Sequence, residues 1–481
     1  MITKHIISKV SFMVTTALIL FACDTNQMGP EQEPIPVPLA EREMPPDFNY
    51  STKQIVEVNI YARNPIGQGL GSVKLTFFSL DENGNETQLF SGLTNSKGLF
   101  SRTVEISASL DKVILKNNFI GLVNELTLPL INNTLTVDYQ NLPDAFEDTT
   151  DEESLGKASL LYTLGYLGEY NSITGDPYYL TSPGDDVSQD FLNDVNTSLP
   201  ENAPVPTAHP EYLVDGNQIN TTMTEDGDVW VTFVHEGAGY KNVLGFYTYP
   251  SNDPPLTVSD IDSVTIIFPN VSYQGSGGSL SSGDKVYLGY FPAGMEIGWV
   301  LISNGWSNGV TDGYRQVYSN PDFNPESEAT KRQHNVLLYD EARDLTVLGF
   351  EDLNREQGSD DDFNDALFYV TSNPRSAIVN DATVTITYTG NDSDGDGVND
   401  PVDDYPNDAN KAYDNFYPAE NTFGSLAYED LWPNRGDYDF NDLVVDYYFT
   451  EILNASNEVV ELKADFVLKA TGASYENGFG F

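Results

Sequence analysis

Twice this chain places a knot of carboxylates directly against the first apolar residues of a β-strand, in "GSDDDFNDALFYV" from Gly358 and in "GDYDFNDLVVDYY" from Gly436. The likeness reaches upstream. Phe350-Glu351-Asp352-Leu353 and Tyr428-Glu429-Asp430-Leu431 stand at the same distance before their glycines. Asp360, Asp362 and Asn364 recur at i, i+2, i+4, as do Asp437, Asp439 and Asn441, followed by Asp365 and Asp442. Carboxylates this dense repel one another, so the chemistry they suit is holding a positive, oxygen-seeking ion. Glu351 ends the second strand of an expected hairpin, "NVLLYDEARDLTVLGF", and Asp365 opens the next strand, so both should meet at one end of a sheet. The expected ligands are therefore Glu351, Asp352, Asp360, Asp362, Asn364 and Asp365 in one copy, and Glu429, Asp430, Asp437, Asp439, Asn441 and Asp442 in the other.

A third acidic stretch, "DSDGDGVNDPVD", runs from Asp392 to Asp403 between the two copies. It fits a twelve-position calcium loop: Asp392, Asp394 and Asp396 at positions 1, 3 and 5, Gly397 at the sharp turn, the Val398 carbonyl at 7, Asp400 at 9 and Asp403 at 12. An EF-hand needs a helix on each side, and the flanks carry no helical period. Ca2+ is the cofactor that all three stretches call for, held here at the weak end, about 10⁻⁴ to 10⁻³ M, as befits an extracellular module.

The elements that must position these residues are strands. With 73 acidic against 23 basic residues the formal charge is −50, yet only 20% of residues are charged and 40% are hydrophobic. That composition folds, and its charge repels a phosphate backbone, so nucleic acid is excluded as a partner. The fold class expected is an all-β, multi-domain chain of β-sandwich or jelly-roll modules joined by acidic linkers and the calcium loop. Residues 52–142 alternate apolar and polar between turns ("QIVEVNIYA", "SVKLTFFSL") and form a small β-sandwich. Residues 143–228 read as an acidic linker, with Leu160, Leu164 and Leu167 on one face of a short helix. Residues 229–390 hold many short strands at near-regular spacing and read as a β-sandwich domain. The calcium loop is assigned 391–420 and a final β-domain 421–481.

Compartment is read from residues 1–23: Lys4 and Lys9, the apolar run Val10 to Leu20, and Leu20-Phe21-Ala22-Cys23. The run is shorter than the ~20 residues that span a bilayer. It resembles a bacterial lipobox, which implies lipidation at Cys23 and a membrane anchor. Residues 24–51, rich in Pro, Glu and Gln, read as a tether. Cys23 is the only cysteine, so an exported chain must be stabilised by core burial or metal.

Other resemblances rest on the motifs quoted. The 52–142 pattern looks like the prealbumin-like modules of bacterial surface proteins. "EGAGYKNVLGFYTY", "IGWVLISNGW" and "GFEDLNREQGSDDDFNDALF" look like a calcium-associated β-domain of unknown function in secreted bacterial proteins. "NDPVDDYPNDANKA" resembles a thrombospondin type 3 repeat, and "AYEDLWPNRGDYDFNDLVVDYYF" resembles the LruC-domain family of bacterial lipoproteins, whose domains usually continue beyond the point where this one stops. These likenesses imply a bacterial cell-envelope location, in the outer membrane, and no particular chemistry.

Three functions stay open. Paired carboxylates serve glycoside hydrolysis, but metal-spaced acids duplicated in two modules suit ion binding better than one active site, and the expectation is a protein that is not an enzyme. His209, His235 and His334 form no zinc spacing. The "GQGLGS" turn lacks the helix and the Lys-Ser/Thr of a phosphate loop. A glycan-binding function draws on the aromatic residues of 229–306, with Trp306, in the expected loop Asn304–Asn308, as the tentative sugar-stacking residue. The third function is a calcium-binding, lipid-anchored adhesion or structural module that contacts other surface proteins.

Overall fold

The computed structural model describes residues 51–81, 84–142, 160–388, 392–400, 403–431, 437–473 and 475–481. The lipobox with Cys23, and the tether up to Tyr50, lie outside them. Strand accounts for 43% of the molecule and helix for 8%, so the all-β expectation holds.

Seven strands make the N-terminal sandwich: β1 (Lys53–Tyr61), β2 (Lys74–Leu80), β3 (Glu86–Leu93), β4 (Leu99–Ser107), β5 (Lys112–Lys116), β6 (Glu125–Pro129) and β7 (Thr134–Asp138). They form one sheet ordered β4-β1-β7 and another ordered β3-β2-β5-β6. Alternation decides the faces. Val56, Val58 and Ile60 of β1 point inward while Ile55 and Glu57 point out.

The central domain begins earlier than its sequence suggests. It contains β8 (Thr163–Tyr166), α1 (Gln189–Ser198), α2 (Val205–Ala208), β9 (Thr221–Thr222), β10 (Gly227–Glu236), β11 (Asn242–Pro250), β12 (Ser263–Val271), β13 (Lys285–Phe291), β14 (Met295–Ser303), β15 (Arg315–Tyr318), β16 (Asn335–Asp340), β17 (Leu345–Phe350), β18 (Ala366–Asn373) and β19 (Val384–Thr385). One sheet runs β13-β10-β18-β17-β16-β19, the other β15-β14-β11-β12-β8, with β9 on β14. They pack face to face through Phe233 and Phe368 of the first and Phe268 of the second, whose ring stacks on Phe368 at 5.8 Å.

The described part of the expected linker is thus part of this sandwich. β8 pairs in parallel with β12, so Leu164 lies on a strand where a helix was expected. The helix is α1 instead, started by the Ser188 hydroxyl accepting from Phe191 N and held by buried Phe191, Leu192 and Val195. Four Asn or Asp residues scattered through "SQDFLNDVN" hid its apolar face. The N-terminal sandwich, α1 and the central sheets share one continuous apolar cluster.

The C-terminal sheet comprises β20 (Tyr413–Tyr417), β21 (Gly424–Tyr428), β22 (Leu443–Leu453) and β23 (Val459–Ala470). β23 pairs along β22 on one side; β21 and β20 pair with its beginning and end on the other. β20 falls inside the stretch assigned to the calcium loop, so that module ends before Tyr413. Its neighbour is the N-terminal sandwich: Asn415 Oδ1 accepts from Ser91 N at 3.0 Å and from Ser91 Oγ at 2.6 Å.

Candidate metal centres

The two acidic copies occupy equivalent hairpins. β17 and β18 are antiparallel with Phe350 opposite Ala366, and β21 and β22 with Tyr428 opposite Leu443, so each loop joins strand ends that already face one another. Inside each loop two non-glycine residues adopt the left-handed conformation at matching places: Asp361 and Phe363 (φ 63° and 61°), Tyr438 and Phe440 (φ 60° and 53°). Alternating handedness makes a tight crest. Asp352 N donates to Asp365 Oδ2 at 2.8 Å, and Asp430 N to Asp442 Oδ2 at 2.9 Å. Asn364 N and Asn441 N reach Asp362 Oδ1 and Asp439 Oδ1, each at 3.3 Å.

In the central copy, ligand oxygens of Glu351, Asp360 and Asp365 all lie within 4.8 Å of one another, as do those of Glu201, Asp360 and Asp362. Glu351 is fully buried, and neither of its carboxylate oxygens has a hydrogen-bond partner. Burial, then the charges of Asp352, Asp360 and Asp362, push its pKa up. Asp365 is raised by burial and by Asp352 and Glu351, and Asp362 to about 6 by burial and Asp360. Asp352 is buried too, its Oδ2 accepting from Asn242 Nδ2 at 2.6 Å. Asp361 turns the other way and takes up Lys331 and, at 2.8 Å, Arg355. Lys331 and Arg355 are therefore engaged by an acid outside the ligand set, while the charge of Arg315 reaches Asp352. His334 pairs with the backbone of Glu351: its ring Nδ1 donates to the Glu351 carbonyl at 2.9 Å, and its carbonyl accepts from Glu351 N at 2.9 Å.

In the C-terminal copy, Glu429, Asp437 and Asp439 form the equivalent cluster. Asp437 and Asp439 are exposed, and Glu429 Oε2 is without a partner while Oε1 accepts from Phe440 N at 3.1 Å.

The loop at Asp392 gathers Asp392, Asp394 and Asp396. Asp394 Oδ2, Asp396 Oδ2 and Asp403 Oδ2 are all buried without partners, and burial raises Asp403 to about 6, helped by Asp396 and Asp394. Gly395 and Gly397 take φ of 80° and 95°, which the turn requires. Asp400 is not gathered with them; both its oxygens accept from Ser393, at 2.8 and 2.7 Å. Val398 anchors the loop by burying its side chain among Leu93, Ala412, Tyr413 and Leu453.

Trp306 does not offer a ring face to solvent. It is 5% exposed and packs edge-on to Tyr170 at 5.8 Å, because the loop folds back on the sandwich. That corrects its assignment as a sugar-stacking residue. A polar cleft of about 830 Å³ does lie between Asn117–Asn118 and Asn124 of the first sandwich and Glu201, Glu236 and Lys241 of the central domain.

Sequence reasoning missed Glu201, Asn242 and Asn477. A second repeat could have found the asparagines. "GAGYKNVLGF" from Gly237 and "GASYENGFGF" from Gly472 align without a gap, and Asn477 Nδ2 donates to Asp430 Oδ2 at 3.2 Å just as Asn242 does to Asp352. Both glycines follow the strand beside the acidic hairpin, β10 or β23. A Cβ there would meet Asn364 Oδ1 at 2.8 Å and Asn441 Oδ1 at 1.8 Å. In the central domain this segment precedes the hairpin in the chain and in the C-terminal sheet it follows it, so the second copy is a permuted version of the first.

Comparison with known proteins matches parts of the central domain and of the N-terminal sandwich. Residues 291–373 match a family described as Domain of unknown function (DUF4114), and residues 49–139 one described as Domain of unknown function (DUF8469). No curated protein matches. Among solved structures, a 9R-lipoxygenase from Cyanothece PCC8801 is 10% identical, with 57% of this chain and 43% of that chain covered and a TM-score of 0.14. The match spans less than half of that enzyme, and at that score it carries no argument.

Proposed function

We propose that the protein is a calcium-binding, lipid-anchored module of the bacterial cell envelope that acts in adhesion or surface structure, by binding and not by turnover. The observation that carries this reading is Glu351, fully buried with both oxygens unpartnered among Asp352, Asp360 and Asp365. An ionised carboxylate in that position costs several kcal/mol unless a cation repays it. The donors are all oxygen, from carboxylates and an amide, which suits a hard divalent ion, and their number suits calcium's 6–8 ligands. Cys23 supplies the proposed anchor, and the LruC and thrombospondin type 3 resemblances support the envelope setting. Among the described residues no helix is long and apolar enough to cross a membrane.

Each acidic hairpin then works as a staple. The ion joins the end of one strand to the beginning of the next, where without it a few hydrogen bonds, such as Asp352 N to Asp365 Oδ2, hold against repelling carboxylates. At calcium ~20 times the dissociation constant, mass action adds about 1.8 kcal/mol per site. The test is thermal melting of the full chain in calcium, in magnesium and in chelator. Calcium should raise the central transition by several degrees; an unchanged transition in all three would sink the reading.

A further inference from the structure

We infer that a cation in the Asp392–Asp403 loop clasps the C-terminal sheet to the N-terminal sandwich, with Val398 as the coupling residue. This rests on the proposed calcium binding of the chain and adds what the ion in this loop does. The loop lies between β19 and β20 in the chain, and residues 397–398 are lodged where the two modules meet. Val398 buries its side chain among Leu93, the last residue of β3 in the sandwich, and Tyr413 and Leu453 of the C-terminal sheet. One residue earlier, the Gly397 carbonyl accepts from Ser72 Oγ at 2.8 Å. Just past the loop, Asp404 pairs with Lys74 at 3.3 Å. β3 also meets the sheet directly: Ser91 N donates to Asn415 Oδ1 at 3.0 Å and Leu93 N to Asn457 Oδ1 at 2.7 Å.

The acids of the loop reach this junction through the backbone. Asp396 Oδ1 accepts from Val398 N at 2.8 Å, while Asp396 Oδ2 and Asp394 Oδ2 are buried without a partner. Asp403 is 7% exposed, and its Oδ2 is likewise unpartnered although Oδ1 accepts from Tyr405 N at 2.7 Å. Orphaned oxygens on a buried acid mark a seat for a cation and not a solvated turn. Val398 thus works in two directions: its side chain fills the junction, and its carbonyl, at position 7 of the loop, is the expected backbone ligand. Without a cation the acids repel one another and pull on the backbone that carries Val398. With one, that backbone is held in the shape the junction accepts. Linkage makes the coupling mutual, so docking of Val398 strengthens calcium binding by the factor by which calcium strengthens docking. The factor expected is about twofold, small because apolar burial already holds Val398.

The experiment reads hydrogen exchange at the amides of Ser91 and Leu93, which donate to side chains of the C-terminal sheet, in calcium and in chelator, beside calcium calorimetry of the full chain. Calcium should slow both amides about twofold in the wild type. Asp394→Ala should lose the weak calorimetric event and the slowing together, while the central transition keeps its calcium-dependent rise. Val398→Ala leaves every acid in place, so it should keep the weak event with about twofold poorer affinity and lose the slowing. Amides indifferent to calcium in the wild type, slowing that survives Asp394→Ala, or an unchanged affinity in Val398→Ala each overturn the clasp. Should Val398→Ala not fold, the first two comparisons decide without it. A wild type that lacks the weak event also overturns the clasp, and leaves the proposed function to the melting of the central transition.

Discussion

Phe363 and Phe440 hold the same place in the two acidic hairpins and the same left-handed backbone, yet Phe363 is fully buried and Phe440 is 52% exposed. The central crest is covered. The Arg355 guanidinium lies over the Phe363 ring at 4.8 Å, and the segment Leu199–Val205 is bonded along the crest. At the C-terminal crest Tyr438, in the place of Asp361, is 64% exposed, and the acids face water. One local motif thus sets the direction of the carboxylates, and the surrounding fold sets how strongly they must be neutralised. Screening by solvent makes the open copy tolerant of an empty site and the covered copy dependent on a full one.

The sharpest break of that comparison is Glu351→Gln. In calcium the substitution should lower the central transition, and in chelator it should raise it, because there it removes a buried acid with no partner; the difference between the two conditions should shrink by up to about 1.8 kcal/mol, the whole calcium contribution of the site. Glu429→Gln should show no rise in chelator, since that crest is solvated. Equal behaviour of the two variants in differential scanning calorimetry would abolish the distinction. Smaller is Asp439→Ala, expected to remove about 1.8 kcal/mol of calcium-dependent protection in β22 while leaving β18 unchanged. Hydrogen exchange on the two strands reads this directly, and coupled loss in both would show that the staples are not independent.

The covered copy also carries a pH signature. Carboxylates whose folded pKa is raised, Glu201 to about 8 and Asp362 to about 6, stabilise the fold when protonated and lose that contribution as pH rises through those values. In chelator the central transition should therefore rise by about 1 kcal/mol equivalent as pH falls from 8 to 6.5. Below 6.5 the buried His235, depressed to about 3 by burial, works the other way, since the unfolded chain then takes up a proton that the folded one refuses. A central transition that falls between pH 8 and 6.5 in chelator contradicts the repelling cluster. The smallest effect expected is Asp396→Ala: loss of a weak calorimetric binding event near 10⁻⁴ to 10⁻³ M, with about 0.5 kcal/mol or less of stability, because the loop stays anchored by Val398.

The strand pattern, the duplicated acids and the twelve-residue loop were legible because each is local. Alternation with period two fixes which face of β1 is buried, and i, i+2, i+4 spacing with left-handed residues between aims Asp360, Asp362 and Asn364 together whatever lies around them. Burial of Trp306 was not legible, since a Gly- and Asn-rich flank reads as an open loop until Tyr170 closes over it. Nor was Glu201: it comes close to Asp360 and Asp362 only because α1 packs into the shared core and delivers the next four residues to a crest some 160 positions further along the chain. Sequence determined the direction of each acid through backbone conformation. Tertiary structure alone decided which acids share one low-dielectric space, because desolvation depends on what every distant segment covers.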